Sequence, residues 1–141
     1  GLMKEVILKR ELTWEWVEAQ IDIASEWVKK MPIRHVTGLP RGGLIPAVMI
    51  SHRCNLKFID NEAAKLLPTR MRRQVLVVDD IADSGETLLD LHDYDFLTLT
   101  LAYRFDSKYV PDKYCDFIED KAWLVFPWES KDNDPVQDYL K

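Results

Sequence analysis

The sequence has few of the residues from which disulfide frameworks and metal clusters are built. It contains two cysteines and three histidines in 141 residues, and Cys54 and Cys115 do not stand at metal-ligand spacing. Cys54 ends an apolar run typical of a helix, so we expect a buried, reduced thiol there. His35, His52 and His92 lack the spacing of a metal site or a catalytic triad, so surface or structural roles are expected for them.

Long apolar runs and an excess of positive charge are also missing. No stretch resembles a signal peptide or a membrane span, so we expect a cytoplasmic protein without a membrane partner. Lys and Arg number 19 against 24 Asp and Glu, and the net charge of −5 argues against a protein that mainly binds nucleic acid. The local exception, Arg70 with Arg72 and Arg73, is interpreted as a solvated loop or a substrate-facing patch.

What is present is the composition and periodicity of one soluble domain spanning residues 1–141. Hydrophobic residues make up 47% and charged residues 30%, which is ordinary for a globular protein. Residues 131–141 form a polar tail. Helices and strands alternate along the chain, which predicts βαβ units and a mostly parallel sheet flanked by helices. The predicted helices cover residues 13–30, 44–54 and 86–92, and the predicted strands cover residues 33–37, 56–59, 75–80, 96–102 and 114–118.

Residues 75–88 carry the strongest functional signal. Four apolar residues predict a buried strand that ends on the paired acids Asp79 and Asp80. Residues 83–87 follow as a loop that contains Gly85 and hydroxyl groups and offers backbone N–H groups to a phosphate. Two carboxylates beside such a loop suggest a divalent cation or the hydroxyl groups of a sugar. The segment therefore indicates a site for a phosphorylated sugar, with Mg²⁺. A receiver-like domain is the alternative, but it leaves the 83–87 loop unexplained.

This segment resembles the signature that binds 5-phosphoribosyl-1-pyrophosphate (PRPP) in type I phosphoribosyltransferases. The shared pattern is an apolar strand, two acids, two spacers and then Asp-Thr/Ser-Gly-x-Thr. The resemblance implies that Asp79 and Asp80 bind the ribose hydroxyl groups or Mg²⁺. It also implies that the 83–87 loop holds the 5′-phosphate and that Asp83 lies near N7 of the base, as a general base or an orienting group. The loop residues concerned are Asp83, Ser84, Gly85, Glu86 and Thr87.

A second loop, residues 39–43, joins a predicted strand to a predicted helix. Arg41 can contact an anion, and Gly42 and Gly43 let the backbone approach it closely. On its own, Arg-Gly-Gly is common in ordinary turns. Together with residues 75–88 it resembles the pyrophosphate-binding loop of the same family, which implies a cis peptide bond between Pro40 and Arg41.

Near the end of the chain, residues 123–129 contain three aromatic side chains and a proline. A packed aromatic core is the simple interpretation of Trp123, Phe126 and Trp128. The segment also resembles the base-binding hood of the xanthine-guanine type of phosphoribosyltransferase. That resemblance implies that Trp123 stacks on a purine and that the Leu124 backbone contacts the edge of the base. Arg104 stands at or next to a position where the family has a lysine that donates to the exocyclic oxygen.

These resemblances imply an α/β protein with a type I phosphoribosyltransferase (Rossmann-like) core and a small C-terminal hood. The expected reaction transfers 5-phosphoribosyl from PRPP to xanthine, guanine or hypoxanthine in purine salvage. Asp79, Asp80 and Asp83 are the expected catalytic residues, with Mg²⁺ on Asp79 and Asp80, and a homodimer or homotetramer is expected. Residues 60–74 are shorter than the mobile lid of the family. A non-catalytic PRPP or nucleotide sensor on the same fold and a transferase for another acceptor stay open as alternatives.

Overall fold

The computed structural model of the protein describes residues 8–130, so the first seven residues and the expected polar tail, 131–141, lie outside the described residues. Its centre is a five-stranded parallel sheet with the order β3-β2-β4-β5-β6. This arrangement confirms the predicted mostly parallel α/β sheet. The five strands are β2 (His35–Gly38), β3 (Lys57–Phe58), β4 (Val75–Ala82), β5 (Leu97–Arg104) and β6 (Lys113–Ile118).

Helices α1 (Trp14–Val28) and α2 (Leu44–Cys54) form where the sequence predicts them. The Thr13 hydroxyl accepts a hydrogen bond from the Trp16 N–H at 3.0 Å and caps α1. Both helices pack on one face of the sheet, in a core cluster that includes Val17, Ile50 and Leu99. Two apolar side chains of α1 stay largely in solvent, since Trp14 and Ile23 are respectively 47% and 42% exposed.

The other face of the sheet carries shorter elements. Residues 60–74, in which the sequence shows no strong period, form α3 (Asn61–Lys65) and a 3₁₀ turn, Thr69–Gln74. The Asp60 carboxylate caps α3 by accepting the Ala63 N–H at 2.7 Å. Helix α4 (Glu86–Asp90) is shorter than predicted and is followed by a second 3₁₀ turn, His92–Tyr94.

A second, two-stranded sheet was missed by the sequence analysis. Strand β1 (Lys9–Glu11) pairs in parallel with β7 (Trp123–Val125), and Arg10 stands opposite Leu124. Each strand has three residues, too few to show an alternating pattern. A small cluster that contains Ala102, Ile118 and Phe126 packs this sheet against the ends of β5 and β6. The hood is therefore attached to the main sheet by apolar packing.

None of the helices in residues 8–130 is both long and apolar enough to cross a membrane. Both cysteines are free and partly buried rather than fully buried as expected for Cys54. The Cys54 Sγ atom lies 4.0 Å from the carbonyl oxygen of Ser25.

Candidate functional site

The paired acids lie at the carboxyl end of the central strand. β4 continues through Ala82, so the predicted end of the strand at Asp80 was two residues early. The Asp79 Oδ1 atom accepts the Asp80 N–H at 2.9 Å, and the Asp80 Oδ1 atom accepts the Ile81 N–H at 2.8 Å. These bonds orient two partly buried carboxylates at the edge where ligands of open α/β sheets bind.

The Arg41 loop, residues 39–43, lies directly beside these acids. The Leu39 N–H donates to the Val78 carbonyl oxygen at 2.9 Å, which fixes the start of the loop on β4. A Cβ atom added to Gly42 would overlap the Asp80 carboxylate, so only glycine allows this approach. The peptide bond between Pro40 and Arg41 is cis, as the resemblance implied.

Within this loop the two glycines have different hydrogen bonds. The Gly43 N–H donates to the Leu39 carbonyl oxygen at 2.8 Å and closes the turn. The Gly42 N–H has no acceptor within residues 8–130. Arg41 is exposed at the tip of the loop. The arrangement places one backbone donor next to Asp80, with Arg41 at the tip of the same loop.

The Ser84 loop, residues 83–87, follows β4 and is held by a segment that the sequence analysis did not single out. The Ser84 carbonyl oxygen accepts the Lys108 N–H at 2.9 Å. Gly85 has a φ of +84°, and a Cβ atom there would come within 2.5 Å of the Tyr109 backbone nitrogen. The Glu86 N–H donates to the Ser84 hydroxyl at 3.3 Å. Residues 107–109 therefore fix the shape of the loop, a role that only a tertiary contact reveals.

Arg104 and Asp83, which the sequence separates by 21 residues, form an ion pair in the structure. Arg104 Nε donates to Asp83 Oδ1 at 2.7 Å. Arg104 is only 5% exposed, and its Nη1 atom donates to the Asp120 carbonyl oxygen at 2.7 Å. A buried guanidinium is tolerated when such acceptors surround it. Arg104, which the resemblance implies contacts the base, thus lies against Asp83, which the resemblance places near N7 of the base.

Asp120 is fixed in turn by its own neighbours. Its Oδ2 atom accepts a hydrogen bond from Arg10 Nη2 at 2.5 Å, and its Oδ1 atom accepts the Ala122 N–H at 3.0 Å. The hydrogen bond from Arg10 is the main reason that the pKa of the Asp120 carboxyl lies below its ordinary value, and the Ala122 N–H adds to it. Asp120 therefore anchors the turn that leads into β7.

The aromatic residues of the hood, residues 123–129, divide into two groups. Phe126 and Trp128 stack with ring centroids 5.1 Å apart, and Trp14 and Trp16 of α1 meet them edge-to-face. This is the packed aromatic core that composition favours. Trp123 is partly exposed and makes no ring contact with any aromatic side chain of residues 8–130. Among the hood aromatics, Trp123 therefore lies outside the packed cluster.

A pocket of about 200 Å³ opens between α3 and α4. Of the predicted site residues, only Thr87 is among those that line it. The remaining lining residues are Thr37, Leu39, Asn61, Ala64, Lys65, Val77, Asp90, Leu91 and Phe96. The predicted site is therefore the open carboxyl edge of the sheet and not this pocket.

The donor set at β4 fits a hard cation. Asp79 and Asp80 supply carboxylate oxygens, and Mg²⁺ is commonly bound by one or two carboxylates together with substrate oxygens and water. Within the described residues no group of three or more His, Cys, Asp and Glu side chains could form a metal cage. Asp79 and Asp80 would thus supply only part of the coordination of such an ion, and water or a substrate would supply the rest.

The chain is similar to known phosphoribosyltransferases in sequence and in fold. A xanthine-guanine phosphoribosyltransferase of Idiomarina loihiensis is 26% identical over 143 aligned positions, which cover 85% of this chain and 88% of that protein. A protein of the same name from Cereibacter sphaeroides is 26% identical over 115 residues, covering 68% and 69% of the two chains. The crystal structure of a purine phosphoribosyltransferase from Pyrococcus horikoshii has a TM-score of 0.69 and 29% identity. It covers 86% of this chain and 95% of that one.

No protein-family model matches the chain. The resemblance to the xanthine-guanine type of phosphoribosyltransferase is nevertheless confirmed by the curated relatives. The fold is that of the type I phosphoribosyltransferases.

Proposed function

We propose that this protein is a purine phosphoribosyltransferase that transfers the 5-phosphoribosyl group from PRPP to xanthine, guanine or hypoxanthine and releases pyrophosphate. The observation that carries the proposal is the contact between Gly42 and the Asp80 carboxylate. It joins the Arg41 loop and the paired acids into one surface at the carboxyl edge of the sheet. A phosphorylated sugar with a pyrophosphate group has the charges and hydroxyl groups that such a surface would bind.

PRPP is assigned to three adjacent groups of residues. Arg41 and the backbone of Gly42 and Gly43 bind the pyrophosphate. Asp79 and Asp80 accept hydrogen bonds from the ribose hydroxyl groups and hold Mg²⁺. The Ser84 loop binds the 5′-phosphate through its backbone N–H groups and hydroxyls. The residues assigned to this phosphate are Asp83, Ser84, Gly85, Glu86 and Thr87. When bound, Mg²⁺ neutralises charge on the pyrophosphate.

The purine is assigned to the space between the hood and Asp83. Trp123 stacks on the face of the base, and the Leu124 backbone contacts its edge. Arg104 donates to the exocyclic oxygen from the Nη2 nitrogen, which makes no hydrogen bond within residues 8–130. A guanidinium offers donors only, so it favours an oxo group over an amino group at this position.

The reaction forms a bond between a ring nitrogen of the base and the anomeric carbon, while the bond to pyrophosphate breaks. The leaving pyrophosphate keeps the bonding electron pair, and Asp83 orients the base or accepts its proton. Most of the rate enhancement comes from holding the two substrates in line and from stabilising the negative charge of the leaving group.

The test is to incubate the protein with PRPP and Mg²⁺ and with each of xanthine, guanine, hypoxanthine and adenine. We expect nucleotide and pyrophosphate in equal amounts from at least one 6-oxopurine and none from adenine. Asp80→Asn should weaken the affinity for Mg²⁺-PRPP, whereas Asp93→Asn, an exposed acid away from the site, should not. Binding of PRPP without nucleotide from any base would overturn the enzyme assignment.

A second candidate is a non-catalytic PRPP or nucleotide sensor, and one observation favours it. Residues 60–74 stand where the family has a mobile lid, but here they are held to β2, because the Thr37 hydroxyl donates to Asn61 Oδ1 at 2.7 Å, and their own fold is braced by Arg72. Arg72 donates to the carbonyl oxygens of Leu67 and Lys65 and lies 5.5 Å from the centre of the Tyr94 ring. A fixed segment does not close over a substrate to exclude water. Tight PRPP binding with no turnover would select this candidate.

A transferase for a different acceptor is the third candidate. Turnover with orotate or uracil, after failure of all four purines, would select it. In each case we propose a single cytoplasmic domain over residues 1–141 that assembles as a homodimer or homotetramer. Sedimentation equilibrium of the full chain measures that assembly.

A further inference from the structure

The buried Arg104 guanidinium connects two parts of the site that the sequence keeps apart. Its Nε atom holds the Asp83 carboxylate of the Ser84 loop, and its Nη1 atom holds the carbonyl oxygen of Asp120. Asp120 lies three residues before Trp123, at the entrance to the hood. The rigid, planar guanidinium of Arg104 therefore contacts both the Ser84 loop, proposed to bind phosphate, and the turn into the hood, proposed to bind the base.

The two acceptors of Arg104, Asp120 and Asp83, lie in segments that other contacts hold in place. Asp120 is fixed by Arg10 of β1 and by the Ala122 N–H, so the turn moves with the β1–β7 sheet. On the other side, the Ser84 loop is clamped by the Lys108 N–H and by close packing of Gly85 on Tyr109. Displacement of either part strains or breaks a hydrogen bond to Arg104.

The burial of Arg104 makes such a break costly. Arg104 is the only Lys, Arg, Asp or Glu among the buried residues of the range 8–130. A buried charge that loses one of its acceptors is strongly destabilised, so the two acceptors favour moving together. A ligand that fixes the position of Asp83 or of Asp120 therefore also favours the position of the other acceptor.

We propose that Arg104, beyond its own contact with the base, couples the purine-binding hood to the Ser84 loop, so that occupancy of either part raises the affinity of the other. The inference rests on the proposed function for the identity of the two ligands. Such coupling is reciprocal: hypoxanthine strengthens binding of a sugar phosphate by the same factor by which the sugar phosphate strengthens binding of hypoxanthine.

The experiment measures the Kd of ribose 5-phosphate by titration calorimetry, with and without saturating hypoxanthine. Ribose 5-phosphate has no pyrophosphate to leave, so no reaction disturbs the equilibrium. For the wild type we expect hypoxanthine to lower the Kd by about fivefold or more. An unchanged Kd in the wild type overturns the proposal without any variant.

The decisive variant is Arg104→Lys. A lysine keeps the charge, but its ammonium is a single point and does not reproduce the two in-plane bonds of the guanidinium. We expect its Kd for ribose 5-phosphate to change by less than about twofold on addition of hypoxanthine. Coupling that persists unchanged in this variant contradicts the assigned role.

Arg53→Lys is the matched control, because Arg53 also bridges two acceptors, Asp22 and Glu18, but lies between α1 and α2. It should retain the coupling of the wild type. Arg10→Ala loosens the exposed anchor of Asp120 and should reduce the coupling without disturbing the core. This second variant tests the link if Arg104→Lys folds poorly.

The result separates the two proposals. If the wild type makes nucleotide but shows no coupling, the role of Arg104 is wrong and the proposed function stands. If the two ligands bind cooperatively but no nucleotide forms with any purine, the coupling stands and the enzyme assignment fails. If neither ligand binds the wild type, both are overturned.

Discussion

Gly42 and Asp80 show how single residues determine the chemistry of this site. The Gly42 backbone contacts the Asp80 carboxylate where a larger residue would overlap it. On the opposite side of the site, the Asp83 carboxylate is held by Arg104 at 2.7 Å. Both carboxylates are oriented by protein donors: Asp80 Oδ1 accepts the Ile81 N–H, and Asp83 Oδ1 accepts Arg104 Nε.

The first prediction concerns Gly42→Ala. The added methyl group must displace the Asp80 carboxylate or the Arg41 loop, so we expect the KM for PRPP to rise about tenfold or more. The KM for the base should change much less. Initial rates at varied PRPP measure the effect, and Leu44→Ala, at an exposed neighbouring position, is the control. An unchanged KM for PRPP would show that the two loops do not act together.

The second prediction concerns Cys115. Burial raises the pKa of its thiol from 9.0 to about 11, against a smaller opposing effect of Lys113. The raised pKa means that the neutral thiol contributes stability below pH 9, and this contribution is lost as the pH rises through about 11.

We therefore expect the wild type to lose roughly 2 kcal/mol relative to Cys115→Ala between pH 9 and pH 11. Urea unfolding of both proteins at each pH measures the difference, and groups common to both cancel. A difference in unfolding free energy that stays constant over this range would contradict the prediction.

At the scale of elements, the short β1–β7 sheet gives the aromatic residues of the hood different roles. It turns Trp123 away from the aromatic cluster while Phe126 and Trp128 pack against α1. The Ser84 loop is likewise shaped by a neighbouring segment, residues 107–109. In both cases a short segment is positioned by contacts with residues that are distant in the sequence.

The third prediction compares Trp123→Leu with Trp14→Leu. Stacking of a base on an aromatic side chain contributes ~1–3 kcal/mol, so removal of the Trp123 ring should raise the KM for the base roughly tenfold. Trp14 is 47% exposed and touches Trp128 rather than the proposed base site, so its substitution should leave that KM nearly unchanged. Equal effects of the two variants would exclude a stacking role for Trp123.

At the scale of the whole molecule, one parallel sheet with helices on both faces supports the site. Leu99, in the middle of β5, is fully buried and belongs to the core cluster under α1. We predict that Leu99→Ala lowers the free energy of unfolding by about 2–5 kcal/mol, because it leaves a cavity. Leu89→Ala, at a side chain 47% exposed, should change it by less than about 0.5 kcal/mol. Urea denaturation distinguishes them, and equal losses would contradict the assigned core.

Regular elements with strong local patterns were predictable from the sequence. The bounds of α2, residues 44–54, match the prediction, and α1 lies within the predicted helix over residues 13–30. The short strands β1 and β7 were missed because three residues carry no periodicity, and residues 61–65 form a helix whose stability depends on its cap and its packing. Local pattern therefore predicts long elements well and short ones poorly.

The sequence by itself determined the fold class and the order along the chain of the Arg41 loop, the paired acids of β4 and the Ser84 loop. Apolar runs, paired acids and glycine-bearing turns are local features, and local sterics and hydrophobicity are enough to specify them. Only the tertiary structure decided which side chains meet. Arg104 contacts Asp83 across 21 residues and Asp120 across 16, since parallel strands bring together segments that the chain keeps apart.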